Sequence, residues 1–414
     1  MMNNLYKVIF SLFLVLFSTN TFSFLSAAPT NFSSLKPELI IPFEIHNNFI
    51  ILNFKVNGVQ NMKFIYDSGS EHSLFFEKSM AEFLNFRMIR SIQIFGSDLS
   101  RPIEAFVGQG VEFETDTKQT LISDIIILQE NVFRLNEYFG MELSGIIGNS
   151  MFRNKVIEID YDKLLIKMYA VEKFDPEKSK FKEIPSRWIK GKPYIFPNVL
   201  TTTLASEYST ILFDTGASIG LLLYTNYMKK DALPDKMIPG TMGMGLGGPI
   251  EGFIGRVDRI EMSDFKFTNI ITHFQKLDST LLSNDESAKH GIIGNSLISH
   301  FNVALDFSNH RLYLKNNKSS KKKMNVDRSG LLIVASGIHL NEYTVREVMT
   351  SSAGADADIR PGDIILKINH LSSQFYSLGD INNRLASSKK KKLKLTLNRD
   401  GEKVRKILVL KDVI

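Results

Sequence analysis

The chain has 414 residues, 43% apolar and 23% charged, and contains no cysteine. That composition suits two or three globular domains rather than a disordered chain, and the missing thiols exclude disulfides, a thiolate metal site and a cysteine nucleophile. The net charge of +6 is unevenly placed: from residue 316 onward 19 Lys+Arg face 10 Asp+Glu, leaving 31 against 34 in the rest. With no interleaved aromatics or binding motif in the basic part, nucleic acid is not an expected partner.

At the start, Lys7 precedes an apolar run from Val8 to Phe17, followed by small residues at Ser23, Ser26, Ala27 and Ala28. A run that short fits the core of a signal peptide rather than a membrane span. Residues 1–28 are therefore expected to be a signal, cleaved or kept as an anchor. The expected location is periplasmic or extracellular, with possible attachment to the envelope.

Residues 29–180 form the first unit. Phe49 to Gly58 reads as a strand closed by an Asn-Gly turn, and a second strand, Phe64-Ile65-Tyr66, runs into Asp67-Ser68-Gly69-Ser70. Short β-like runs follow, then Gly145-Ile146-Ile147-Gly148-Asn149-Ser150 and Val156 to Tyr161. The charged, proline-punctuated stretch Lys173 to Lys192 reads as a connection.

The second unit, residues 181–315, repeats the first. Ile211-Leu212-Phe213 leads into Asp214-Thr215-Gly216-Ala217, and Gly291-Ile292-Ile293-Gly294-Asn295-Ser296 copies the earlier hexapeptide to the letter. The hexapeptide begins 78 residues after Asp67 and 77 after Asp214. One Asp-hydroxyl-Gly triplet would be an ordinary turn. Two, at matching places in a duplicated β unit, predict that Asp67 and Asp214 meet about a pseudo-twofold axis.

Two carboxylates about 3 Å apart repel by roughly 5 kcal/mol at an effective dielectric of about 20, so the pair keeps one proton over a wide pH range. One oxygen can then take a proton from a bound water while the other acid protonates an attacked carbonyl. Amide hydrolysis without metal or covalent intermediate is the chemistry such a pair suits. Gly69 and Gly216 leave room for backbone N–H groups at the carboxylates.

These paired motifs, each with its downstream Gly-Ile-Ile-Gly, resemble the pepsin-like and retropepsin-like aspartic proteases over about residues 40 to 315. The resemblance implies two β-barrel lobes, Asp67 and Asp214 as catalytic dyad, and no cofactor. It also implies Ser68 and Thr215 as interlocking hydroxyls, with Ile147-Gly148 and Ile293-Gly294 supporting the two loops. Ser70 matches the hydroxyl residue that often follows the motif glycine, whereas Ala217 departs in the retropepsin manner. The flap tyrosine of pepsins has no counterpart: Phe95-Gly96 is the first-lobe flap candidate. Gly245, Gly247 and Gly248 belong to a Gly-rich stretch that fits the dinucleotide pattern G-x-G-x-x-G but lacks its strand–helix context, and it reads as a hairpin over the second lobe or as a plain loop.

The eight histidines show no metal-binding spacing, and no G-x-S-x-G marks a serine nucleophile. Residues 316–324 read as a basic linker. Lys321 to Lys323 and Lys389 to Lys392 are solvated, or weakly attracted to an anionic membrane surface.

From residue 325 to 414 the texture changes. Pro361-Gly362-Asp363 gives a turn, Ile364, Leu366 and Ile368 alternate into a core, and Leu378, Ile381 and Leu385 mark an amphipathic helix. The Pro-Gly-Asp-Ile-Ile-Leu-Lys-Ile-Asn stretch resembles PDZ domains. That implies an α+β module binding a peptide or protein by strand addition, with Gly330, Leu331 and Leu332 as carboxylate-loop candidates. The chain is thus expected to be mostly β: an exported aspartic endopeptidase with a PDZ-like module. The alternative is a peptide-binding scaffold that keeps the protease fold without turnover.

Overall fold

The computed structural model describes residues 36–414 except 96–101, 132–134, 202–204, 207–209, 229–231, 246–247, 278–288, 323–326, 390 and 413. The fold is mostly β, and its two-lobed body is built twice from the same plan.

In the first lobe, the antiparallel strands Leu39–His46, Phe49–Val56 and Gln60–Tyr66 lead the chain into Asp67. Strand Gly145–Ile147 inserts between Gln60–Tyr66, to which it is parallel, and Leu74–Phe75, to which it is antiparallel. The second lobe repeats this: Gly291–Gly294 lies parallel to Ile211–Asp214 and antiparallel to Leu221–Tyr224. Each lobe adds a long hairpin, Arg87–Phe95 with Pro102–Glu114 and Ile238–Gly245 with Gly248–Met262. A further strand in each, Thr120–Leu128 or Phe265–Gln275, returns parallel to the short strand after the Asp loop.

The lobes share one sheet. Val156–Asp160 pairs antiparallel with Phe301–Asp306, Ile159 opposite Val303 and Val156 opposite Asp306. Outside these lie Leu165–Tyr169 on one side and Arg311–Asn316 on the other, then Leu39–Pro42 and Lys182–Ile184. A local twofold therefore falls between the central pair. Apolar side chains from both lobes, among them Phe64, Tyr66, Phe213, Ile159 and Leu305, bury into one continuous core around it.

The stretch Lys173 to Lys192 differs from the simple connection expected. It contains Lys182–Ile184 and most of a hairpin, Ser186–Ile189 with Lys192–Ile195, which is the second lobe's copy of the opening hairpin Leu39–Val56. Its turn, Lys190-Gly191, has φ of 49° and 69°, and the matching Asn47-Asn48 turn has 49° and 65°. Both are left-handed pairs of the type that suits the twist of a two-residue hairpin. Trp188, on this hairpin, meets Phe307 edge-on at 5.4 Å.

After Arg311–Asn316 the chain does not run free at once. Asn317 donates to Ser299 O and Lys318 N to Asp162 Oδ1, so the basic stretch is partly fastened to the lobes. The C-terminal module then forms its own sheet in the order Leu331–Ser336, Glu342–Val348, Ile364–Ile368, Lys392–Arg399, Glu402–Val409. Its helix, Leu378–Leu385, starts in a capping box between Ser377 and Asp380 and buries Leu378, Ile381 and Leu385 in the module's core. The Arg399 fork grips the buried Asp363 carboxylate at 2.7 and 2.8 Å. Among the described residues, no helix is long and apolar enough to cross a membrane.

Candidate active site

Asp67 directly follows the strand Gln60–Tyr66 and Asp214 ends the strand Ile211–Asp214, each after three consecutive buried apolar residues, and the lobe symmetry turns them toward one another. There the two carboxyls are close enough for each to shift the other's proton affinity. Gly69 N and Gly216 N each donate to the Asp two residues earlier, at 2.7 Å. The loops cross so closely that a Cβ on Gly69 would fall 2.6 Å from Asp214 Cγ, and one on Gly216 would fall 2.3 Å from Asp67 Cγ. Only glycine fits at either place.

The hydroxyls interlock. Ser68 N donates to Thr215 Oγ1 and Thr215 N donates to Ser68 Oγ, both at 3.0 Å. Ser68 Oγ then donates to Phe213 O, and Thr215 Oγ1 to Tyr66 O, at 2.8 and 3.1 Å. Both residues are wholly buried. Each hydroxyl thus satisfies an N–H and a carbonyl of the opposite lobe, which ties the loops in one register.

Beneath them, Tyr66 pairs with Ile147 and Phe213 with Ile293, both isoleucines fully buried, and Asp67 N donates to Ile147 O at 3.0 Å. Gly148 and Gly294 let the returning chain pass close: a Cβ on Gly148 would fall 2.5 Å from His72 O, and one on Gly294 2.3 Å from Ile219 O.

Both aspartates keep part of their surface accessible, but protein surrounds their carboxyls on the remaining sides. Burial raises the affinity of Asp67 for a proton well above the ordinary carboxylate range, and the Asp214 charge and hydrogen bond add to it; Gly69 N–H and Lys192 oppose. Burial raises Asp214 as well, against the hydrogen bond from Asp67, Gly216 N–H, Lys289 and Lys192. Such a pair holds one proton in common.

Several residues complete the site that sequence alone did not single out. Asn149 Nδ2 donates to Ser68 O at 2.8 Å and to Gly191 O at 2.9 Å, while its Oδ1 accepts from Tyr66 OH. Asn295, fully buried, donates from its backbone N to Ala217 O at 2.6 Å and from Nδ2 to Asn48 O at 2.7 Å, and accepts from Tyr161 OH. Each asparagine therefore links the lobe it sits on to the hairpin turn of the other. Both stand in the repeated hexapeptide, which was the signal available. Lys192 and Lys289 supply positive potential, with Lys289 5.8 Å from the Tyr224 ring.

The Ser70 hydroxyl donates to His72 O, away from the dyad. His72 lies exposed beside Glu71, and His290 accepts from Thr210 N with its ring 4.6 Å from that of Tyr227. Phe95 ends a hairpin strand opposite Pro102, and Gly96 falls outside the described residues. Gly245 pairs with Gly248 at the tip of the second hairpin, with Gly247 outside the described residues. Among the described residues, no group of three His, Asp or Glu is placed to hold a metal ion.

In the C-terminal module, the expected carboxylate loop is filled from within. Ser329 N and Gly330 N donate to the two oxygens of Asp327 at 3.1 and 2.6 Å, and Leu331 N donates to Ser329 Oγ. Leu332 sits at a β-bulge against Glu347. Gly330, Leu331 and Leu332 thus spend two of their N–H groups internally.

No protein-family model matches the chain, and no curated protein is similar to it in sequence. Among solved structures, it is similar to basic 7S globulin from soybean, with 8% identity, a TM-score of 0.41, and coverage of 69% of this chain and 97% of that one.

Proposed function

We propose that the protein is an aspartic endopeptidase in which Asp67 and Asp214 activate water for attack on a peptide bond. The observation that carries this reading is geometric: two carboxyls, one from each lobe, meet at a loop crossing that admits only glycine. A water bound between the carboxyls gives a proton to the ionised one as its oxygen bonds to the peptide carbonyl carbon. The protonated carboxyl gives its proton to the carbonyl oxygen, producing a neutral tetrahedral diol. In the second half the dyad returns a proton to the amide nitrogen, the C–N bond breaks, and one hydroxyl proton goes back to the pair.

The substrate is an extended peptide or protein segment, met after export if residues 1–28 act as a signal. A statine-type mimic of the diol is expected to block turnover, and a chelator to leave it intact. The experiment is a peptide-library digest run beside a binding assay on the same library. Cleavage that the mimic abolishes supports the proposal; peptides bound and recovered whole support the alternative of a scaffold without turnover.

A further inference from the structure

The two hairpin turns that the asparagines hold are alike in conformation but not in surroundings. Described contacts of Gly191 end at Asn149 Nδ2. The Asn47-Asn48 turn, in contrast, touches three parts of the molecule. Asn48 O takes Asn295 Nδ2, and the Asn48 amide donates to Ser218 O at 3.2 Å, four residues beyond Asp214. Asn47 Nδ2 reaches Tyr138 O at 3.5 Å, on the short helix Leu135–Phe139. Asn47 Oδ1 accepts from Asn382 Nδ2 at 3.0 Å, on the module's helix Leu378–Leu385.

The same helix Leu135–Phe139 ends on the module. A Cβ at Gly140 would lie 2.7 Å from Leu378 Cβ and 3.6 Å from Ala335 Cβ, so the first lobe packs directly on the edge strand Leu331–Ser336 and the start of the helix beside it. That edge is where strand addition would place a peptide. Here it meets the chain's own first lobe, while Asp327 occupies the loop at the strand's beginning.

We propose that the module serves the active site in cis, and that Asn47 and Asn295 are positioning residues through which its helix fixes the loop carrying Asp214. The chain of contacts runs from Asn382 to Asn47, across the turn to Asn48 O and through Asn295 to Ala217, while the Asn48 amide reaches Ser218 O directly. This rests on reading Asp214 as half of a catalytic pair. A dyad must hold its geometry to a fraction of an ångström, and a shift of about 1 Å costs about a hundredfold in rate. Bracing a loop whose neighbour Ser218 is not buried has that effect without touching substrate.

The test uses the full chain. Asn47→Gly keeps the left-handed turn but removes the acceptor, and Asn382→Ala removes the donor. Each is expected to lower kcat about tenfold, what one lost hydrogen bond amounts to, with KM changed less than about twofold. The double variant should be no worse than either single one. Asn47→Asp keeps the acceptor and should restore most of the rate. Singles that retain full kcat, or a double variant whose losses multiply, would overturn the link. Hydrogen exchange supplies a readout independent of turnover: amides 214–220 should exchange faster in Asn382→Ala. If the wild type hydrolyses nothing, the endopeptidase reading fails, and this exchange still decides the brace. Unchanged protection there rejects it.

Discussion

Gly216 lies so close to Asp67 that the smallest side chain possible would sit 2.3 Å from its carboxyl carbon. Gly69 stands in the same relation to Asp214, at 2.6 Å. The glycines are needed because the opposite lobe's carboxyl occupies the space, not because of an unusual backbone angle. Gly216→Ala should therefore push Asp67 out of line while the apolar core stays as it is. We expect kcat to fall by about a hundredfold or more, with the far-ultraviolet circular dichroism unchanged.

The interlock of Ser68 and Thr215 is a matter of stability as well as register. Ser68→Ala strands the buried Thr215 N–H and Phe213 carbonyl, each of which loses its partner. The expected cost is about 3 kcal/mol, read from the midpoint of denaturant unfolding. Thr215→Ala should cost a similar amount by freeing Ser68 N–H and Tyr66 O.

The dyad also sets a pH dependence. Activity requires one shared proton, so the profile of kcat/KM should be bell-shaped, falling on the alkaline side as the raised step is passed and on the acid side as the second carboxyl protonates. For stability the sign follows from the folded carboxyl holding its proton more tightly than the unfolded one. That contribution is complete below the unfolded value of about 3.9 and is lost as pH rises through the raised folded value. Asp67→Asn removes the loss. The variant should melt higher than the wild type at neutral pH, with the gap closing toward pH 4.

Asp363 shows the opposite behaviour. Burial works against its charge, but the Arg399 fork outweighs burial and holds the carboxyl below its ordinary range. Its stabilisation is present above the unfolded value and lost as pH falls through the folded one. Arg399→Leu leaves a carboxylate that is only 1% exposed without its counter-ion, and unfolding of the module should become easier by about 3 kcal/mol.

Much of the site was legible because it is spelled twice. Asp67, Asp214 and the two Gly-Ile-Ile-Gly segments stand at nearly equal spacing, and the symmetry that brings the carboxyls together follows from that duplication. The opening hairpin is duplicated too, but its copies share little sequence. Lys190 carries a left-handed angle with no sign of it in its residue type, and so a hairpin strand passed for linker. Asn149 and Asn295 stand in the repeated hexapeptides, but their roles are not legible there, because their partners lie 42 to 247 positions away. At the carboxylate-loop candidates, Gly330 has a left-handed angle, and Asp327, three residues earlier, accepts its N–H.

The most direct test of a shared-proton dyad is peptide turnover by Asp67→Asn and Asp214→Asn, each confirmed as folded by circular dichroism. An amide in place of either carboxyl keeps the shape but cannot pass the proton, so both variants should fall to background while the wild type cleaves. Turnover near the wild-type rate by either one would contradict the account.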